Sequence, residues 1–264
     1  MEQFFQIISQ GSAGNAPSYW ANKPIFVSMH GQSNMEGSGG RTTEIQSNYP
    51  EYYGEQANTF VYNNSTISFD LLNVGVNHND NNTLVGPEVS FACELRKYTT
   101  QPIHYLKYAV GATSIFTDWS TSLTGDLWDE YISRIDNAVT LMNNLYGVGG
   151  WVYLANLWHQ GEADSYDSQG LYEAEEFAMI SYLRQRYGNG VIFIAGGIRP
   201  YQNTGENDIS FQVNYAKQNN AAKSSLNYWF DNTDLTLYDG VHYDTDSQVE
   251  HGKRYVNILK NKIQ

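Results

Sequence analysis

The sequence predicts one α/β domain built on a mainly parallel sheet with helices on both faces. Three observations carry that expectation. Short apolar runs bounded by turn residues recur along the chain, amphipathic helical stretches fall between them, and 264 residues suffice for one large core without requiring a second. Hydrophobic residues at 41% and charged residues at 16% describe a globular protein rather than a disordered or fibrous one.

The elements follow in chain order. Residues 1–22 read as an extension ahead of the domain. Buried strands are expected at Ile25 to Met29, Phe60 to Tyr62, Ile103 to Val110, Trp151 to Trp158 and Val191 to Ala195, because each is a short apolar run of the kind that a sheet covered on both faces requires. Helices are expected at Glu88 to Tyr98, Leu127 to Leu145, Leu171 to Tyr187, Ile209 to Ala222 and Asp246 to Lys262. The second is the clearest, since Leu127, Tyr131, Ile135, Val139 and Met142 recur at spacings of three or four along one face. Asn73 to Leu84, rich in Asn and Asp, reads as a long exposed loop whose spacing does not match a calcium loop.

Composition excludes several function classes. A formal charge of −13 repels phosphate backbones and anionic lipid, so nucleic-acid binding is not expected and a neutral substrate fits better. No segment approaches 18 uninterrupted apolar residues, so no membrane insertion is expected. The single cysteine, Cys93, allows neither an intrachain disulfide nor a cysteine-based zinc site and reads as a small core residue. No His-x-x-x-His spacing supports a metal, and His78, His104 and His251 read as surface or satisfied core residues. Twenty-one Tyr and six Trp are a heavy aromatic load, most of it core, with some rings suited to stacking on sugar.

Four segments at the ends of strands carry chemistry, and in doubly wound sheets ligands gather there. After the first strand comes His30-Gly31-Gln32-Ser33-Asn34-Met35, a Gly-flanked turn that can project the Ser33 hydroxyl while backbone N–H groups face a developing oxyanion. Asp239-Gly240-Val241-His242 places a carboxylate three residues before an imidazole. The Asp can accept from Nδ1 and leave Nε2 free to take a proton. Trp158-His159-Gln160-Gly161-Glu162-Ala163-Asp164 offers a Gln amide as an oxyanion donor. Ala109-Val110-Gly111-Ala112 brings a Gly at which backbone can approach a substrate closely. Arg199 follows the Val191 to Ala195 strand and is expected at the mouth of the site. Glu88, after Pro87, opens a helix where its charge suits the dipole.

In order and wording these segments resemble the SGNH hydrolases, in particular the acetylxylan esterase and sialate O-acetylesterase-like carbohydrate esterase branch. The blocks of that branch read G-Q-S-N-M, W-H-Q-G-E-x-D and D-G-x-H, matched by Gly31 to Met35, Trp158 to Asp164 and Asp239 to His242. Gly86-Pro87-Glu88 and Gly111 to Trp119 match two further landmarks, so the resemblance runs from about Ile25 to His242. It implies a three-layer α/β/α, flavodoxin-like fold and a serine esterase that removes O-acetyl groups from carbohydrate without a cofactor. Ser33 is implied as nucleophile, His242 as base and Asp239 as its orienting acid, with Glu162 either a second acid helping Asp239 or a brace of its own loop. The Ser33 N–H, Gly111 and Gln160 are implied as oxyanion donors, although many relatives carry a second Gly where this chain has Ala112. Gln32, Asn34, His159 and Arg199 are the expected substrate contacts, while His30 and His159 are also expected to brace their loops.

Two alternatives keep the fold and change the function: a non-catalytic carbohydrate-binding or virion module, and a lipase or lysophospholipase. Retention of Ser33, Asp239, His242 and Gln160 opposes the first, and the W-H-Q-G-E block opposes the second. The opening MEQFFQIISQGSAGN shows no secretory signal pattern, and a secreted or virion-associated setting is the expectation that a glycan substrate brings.

Overall fold

The computed structural model describes residues 22–122, 126–165, 169–199 and 210–263. Its strands are β1 (Ile25–Gly31), β2 (Gly54–Asn63), β3 (Ser68–Val74), β4 (Ile103–Ala109), β5 (Val152–His159), β6 (Ile192–Gly196) and β7 (Asn227–Phe230). Its helices are α1 (Ser33–Glu36), α2 (Thr42–Asn48), α3 (Glu88–Leu95), α4 (Asp126–Tyr146), α5 (Gln169–Tyr187), α6 (Ser210–Ala222) and α7 (Thr245–Leu259). The strands form one sheet in the order β3-β2-β4-β1-β5-β6-β7, parallel throughout except for the β2–β3 hairpin at one edge. The expected extension over residues 1–22 lies outside the described residues apart from Asn22, as does Ile209 at the expected start of α6.

Side chains of a strand alternate between faces, and β1 shows why its run is apolar throughout. Ile25, Val27 and Met29 enter a core completed by Val89, Phe91 and Leu95 of α3 and Val249, Tyr255 and Leu259 of α7. Phe26 enters the opposite core, formed with Trp128, Ile135 and Met142 of α4, Tyr172, Ile180 and Leu183 of α5, and Val213 and Ala216 of α6. The result is the three-layer arrangement of an SGNH hydrolase. Cys93 is buried as expected, and burial pushes its thiol up to about 12. No helix of the described residues is long and apolar enough to cross a membrane.

Three expectations need correction. The strand β3 lies partly where a loop was read, because Ser68 to Val74 is a half-exposed edge strand in which Leu72 and Val74 alone are buried while the apolar Leu71 is exposed, so its alternation is hidden. β7, four residues long, is too short to stand out as an apolar run. α7 starts at Thr245 rather than Asp246 and stops at Leu259 rather than Lys262, its first turn capped by the Asp244 carboxylate accepting from the Ser247 N–H at 2.9 Å.

The sheet order is what assembles the candidate site. β1 lies between β4 and β5, so Gly31 pairs with Ala109 on one side and His159 on the other. The segments after those three strands therefore emerge side by side at one sheet edge, where the winding of the chain reverses direction.

Candidate active site

The site is built around the turn from β1 into α1. Gly31 is fixed by close approach: a Cβ there would sit 1.9 Å from the His159 carbonyl oxygen. The chain continues with the Gln32 N–H donating to that same carbonyl at 3.0 Å, and α1 begins at Ser33, which is 7% exposed. Gly111 borders Ser33, since a Cβ on it would lie 3.4 Å from the Ser33 Cβ. Among the described residues, neither the Ser33 nor the Gly111 N–H is taken up by a hydrogen bond. Ala112 adopts a left-handed φ of 59°, a conformation that glycine accepts more readily.

His242 arrives from the far side of the sheet, on the loop between β7 and α7. Asp239 accepts from His242 Nδ1 at 2.7 Å and, through its other oxygen, from the backbone N–H groups of Val241 and His242 at 3.0 and 2.9 Å. Desolvation works against the carboxylate, but these hydrogen bonds together outweigh it and hold the Asp239 carboxyl at about 2. The pair is accessible, with His242 at 27% and Asp239 at 44% side-chain exposure.

Asn34 joins the two halves. Its Oδ1 accepts from the Tyr243 N–H at 2.9 Å and its Nδ2 donates to the Val241 carbonyl at 3.2 Å, so the residue after Ser33 grips both neighbours of His242. Close passage of the two loops is possible because Gly39 carries no side chain; a Cβ there would meet the Tyr243 carbonyl at 2.1 Å. Among the described residues no hydrogen bond joins the Ser33 hydroxyl to His242, and in unliganded sites such bonds are often long.

Glu162 does not reach His242, contrary to the expectation that it shares the acid role. Its carboxylate accepts from Gln32 Nε2 at 2.7 Å, Asn34 Nδ2 at 2.7 Å and His159 Nε2 at 3.1 Å. Burial alone would raise this carboxyl, but His159, Asn34 and the nearby Lys217 keep it below the usual carboxylate range. Three of the expected substrate contacts are thereby corrected. Gln32, Asn34 and His159 are all buried, each donating to Glu162, with Asn34 also bonded to the His242 loop and Gln32 Oε1 accepting from Gln160 at 3.4 Å. Arg199 stays half-buried, where its charge helps to lower the carboxyls of Asp234 and Asp244.

Gln160 also faces inward rather than toward Ser33. Its amide nitrogen donates to the Thr113 carbonyl at 2.8 Å and to the Asp164 carboxylate, and its oxygen accepts from the Tyr172 hydroxyl at 3.0 Å. With both amide hydrogens engaged in a buried network, the side chain braces the β4 and β5 loops against each other, and Asp164 extends the brace by accepting from the Ile115 N–H at 2.8 Å. Behind it, Lys217 donates to the Gln160 and Gly196 carbonyls at 2.6 and 2.7 Å, and burial lowers its ammonium to about 8. Sequence reading missed this lysine. The available signal was a Lys on the same helical stripe as Val213, Ala216 and Asn220, all of them buried.

The other histidines divide. His30 is enclosed by Trp119, Trp128 and Trp158 and stacked on Tyr131 at 4.2 Å between centroids. His78 and His104 are buried and hydrogen-bonded. His251 departs from the expectation of a satisfied core residue, because it is fully buried against His159 and Tyr255 and neither ring nitrogen has a hydrogen-bond partner among the described residues. Glu88 does more than open α3: it accepts from Lys107 Nζ at 2.6 Å and from the Gly86 N–H at 3.1 Å. No group of three or more His, Cys, Asp or Glu residues placed to hold a metal occurs among the described residues.

A three-layer sheet with these strand-end blocks defines an SGNH-type carboxylic ester hydrolase. A family model described as carbohydrate esterase, sialic acid-specific acetylesterase, matches residues 22–261, and the chain belongs to that family. Among solved structures, a protein from Arabidopsis thaliana superposes with a TM-score of 0.71 at 21% identity, covering 92% of this chain and 99% of its own. NanS superposes at 0.66 with 14% identity, covering 90% and 97%. A carbohydrate acetylesterase from Xanthomonas citri superposes at 0.61 with 16% identity, covering 89% of this chain and 55% of its own. A comparison with curated protein sequences finds no match.

Proposed function

We propose that the chain removes O-acetyl groups from carbohydrate by a two-step serine mechanism. Ser33 Oγ attacks the acetyl carbonyl carbon as His242 Nε2 takes the hydroxyl proton, and the tetrahedral oxyanion rests on the Ser33 and Gly111 N–H groups. The bond to the sugar oxygen then breaks, and that oxygen leaves with the proton held by His242. Water repeats the sequence on the acetyl-serine, releasing acetate and restoring Ser33. Asp239, bonded to Nδ1, keeps the proton there and Nε2 free as the base.

One observation carries this reading: Asn34 holds Val241 and Tyr243, so the segment next to Ser33 and the segment bearing an Asp-oriented His242 are tied together. The test is Ser33→Ala, which should abolish acetate release while circular dichroism stays unchanged, together with labelling by a serine-directed fluorophosphonate and mapping of the adduct. Turnover that survives the substitution, or an adduct on another residue, overturns the mechanism.

A further inference from the structure

Beside the nucleophile lies a cleft of about 340 Å³, within the range of sites for small molecules. It opens at the carboxyl ends of β2 and β4, the same sheet edge that carries Ser33. Glu36 lines the cleft and stands three residues from Ser33 on α1, and a Cβ on Gly111 would meet Glu36 Oε2 at 3.3 Å and the Ser33 Cβ at 3.4 Å. Resting on the esterase reading above, we propose that this cleft binds the sugar of the ester and selects neutral sugars over those bearing a carboxylate.

The argument is the balance of charge on its walls. Three carboxylates line it: Glu36, Asp70 and the exposed Asp80. Its cation, Lys107, is already spent. Lys107 Nζ donates to Glu88 Oε2 at 2.6 Å and to the Glu36 carbonyl at 2.9 Å, with its side chain 6% exposed. The cleft's histidine, His78, accepts from the Gly75 N–H on Nδ1 at 3.1 Å, so its proton sits on Nε2, facing the Leu84 carbonyl at 2.9 Å, and the ring is neutral. Arg41 and Arg199 are not among the lining residues; Arg41 donates to the Ser38 and Gly40 carbonyls and lies over the Tyr238 ring, on the His242 side of the site.

A sugar carboxylate entering this cleft would lose water and meet like charge, with no free cation among the described lining residues to offset either cost. Hydroxyl groups, by contrast, find acceptors in the carboxylates and both a donor and an acceptor in the exposed Asn64 amide, while Asn63 and Asn77 are held by their own neighbours. This chain thereby departs from the acidic sugar in its family's description.

The test measures kcat/KM for acetate release by the whole chain from acetylated xylooligosaccharide, O-acetylated sialic acid and O-acetylated oligogalacturonate. Each value is divided by that of the same protein on nitrophenyl acetate. The neutral substrate should lead both acidic ones by about tenfold or more at low ionic strength, since like-charge juxtaposition is costly. Salt should narrow the gap. Asp80→Lys, on an exposed loop, should raise the acidic-to-neutral ratio several-fold, and the salt dependence of the unaltered protein provides a second reading that needs no variant. Acidic sugars turned over as fast as the neutral one, or a ratio indifferent to both salt and Asp80→Lys, overturn the selectivity while leaving the esterase intact. No turnover of any substrate, nitrophenyl acetate included, brings down the esterase reading and the cleft assignment with it.

Discussion

Two carboxylate–imidazole pairs of the same spacing sit in this molecule in opposite surroundings. Asp239 and His242 are three residues apart, 2.7 Å between carboxylate oxygen and Nδ1, and stand in partial contact with solvent. His159 and Glu162 are also three residues apart, 3.1 Å between atoms, with side chains 0% and 4% exposed. In the first pair Nδ1 is held by Asp239 and Nε2 makes no hydrogen bond among the described residues, the arrangement a proton carrier requires. In the second, burial lowers the pKa of His159, and the remaining contacts of Glu162 fix Gln32 and Asn34, the two residues that flank Ser33. Spacing in sequence therefore identifies a pair, and burial decides whether its imidazole stays accessible or helps hold a backbone still.

That contrast breaks most sharply under amide substitution. Asp239→Asn should lower kcat by roughly 10⁴-fold by favouring the wrong tautomer of His242, with little change in thermal stability because the carboxylate is exposed. Glu162→Gln should do the reverse. It puts a donor among three donors in a buried network, so unfolding in urea should show a loss of about 3 kcal/mol or more, with a fall in kcat well short of that for Asp239→Asn. A Glu162→Gln protein of unaltered stability, or one as inactive as Asp239→Asn, erases the distinction.

Acid titration sharpens the same comparison. Glu162 has a folded pKa below its unfolded value, so its contribution to stability is complete above the unfolded value of about 4.3 and is lost as pH falls from there through the folded one. Denaturant midpoints followed below pH 5 should fall steeply for the unaltered chain and for Asp239→Asn, and more gently for Glu162→Gln. Equal slopes in all three would mean that the buried carboxylate is not the group being titrated.

Smaller effects are expected at two neighbouring loops. Gln160→Ala should cost about 1–3 kcal/mol of stability, the penalty for stranding buried hydrogen-bond partners, rather than the 10²- to 10³-fold loss of kcat that follows removal of an oxyanion donor. A pure kcat defect at full stability would return Gln160 to the oxyanion hole. Ala112→Gly should change stability by about 1 kcal/mol or less, because relief of the left-handed backbone is offset by the added freedom of the unfolded chain. A larger destabilisation, read as a shift in melting temperature, would show that the alanine methyl makes contacts that matter.

Much of this was legible along the chain. The continuous apolar runs of β1, β5 and β6 declared strands buried on both faces, and the three- and four-residue spacing of α4 declared its inner stripe, because burial on a regular element imposes a period on the sequence. The edge strand β3 and the short β7 were not legible, since a half-exposed or four-residue strand imposes hardly any pattern. Ser33, Asp239 and His242 stood out through motifs that local backbone geometry demands: a glycine where strands crowd, and a carboxylate within one turn of an imidazole. The roles of Asn34, Glu162, Gln160 and Lys217 were decided only by tertiary structure. Each depends on partners far away in sequence, as in the contact of Asn34 with Val241 and Tyr243, and on which side of the sheet edge a polar group ends up. Sequence fixes what a side chain can donate or accept; the fold alone decides whether it meets water, substrate or a buried partner, and that sets its function.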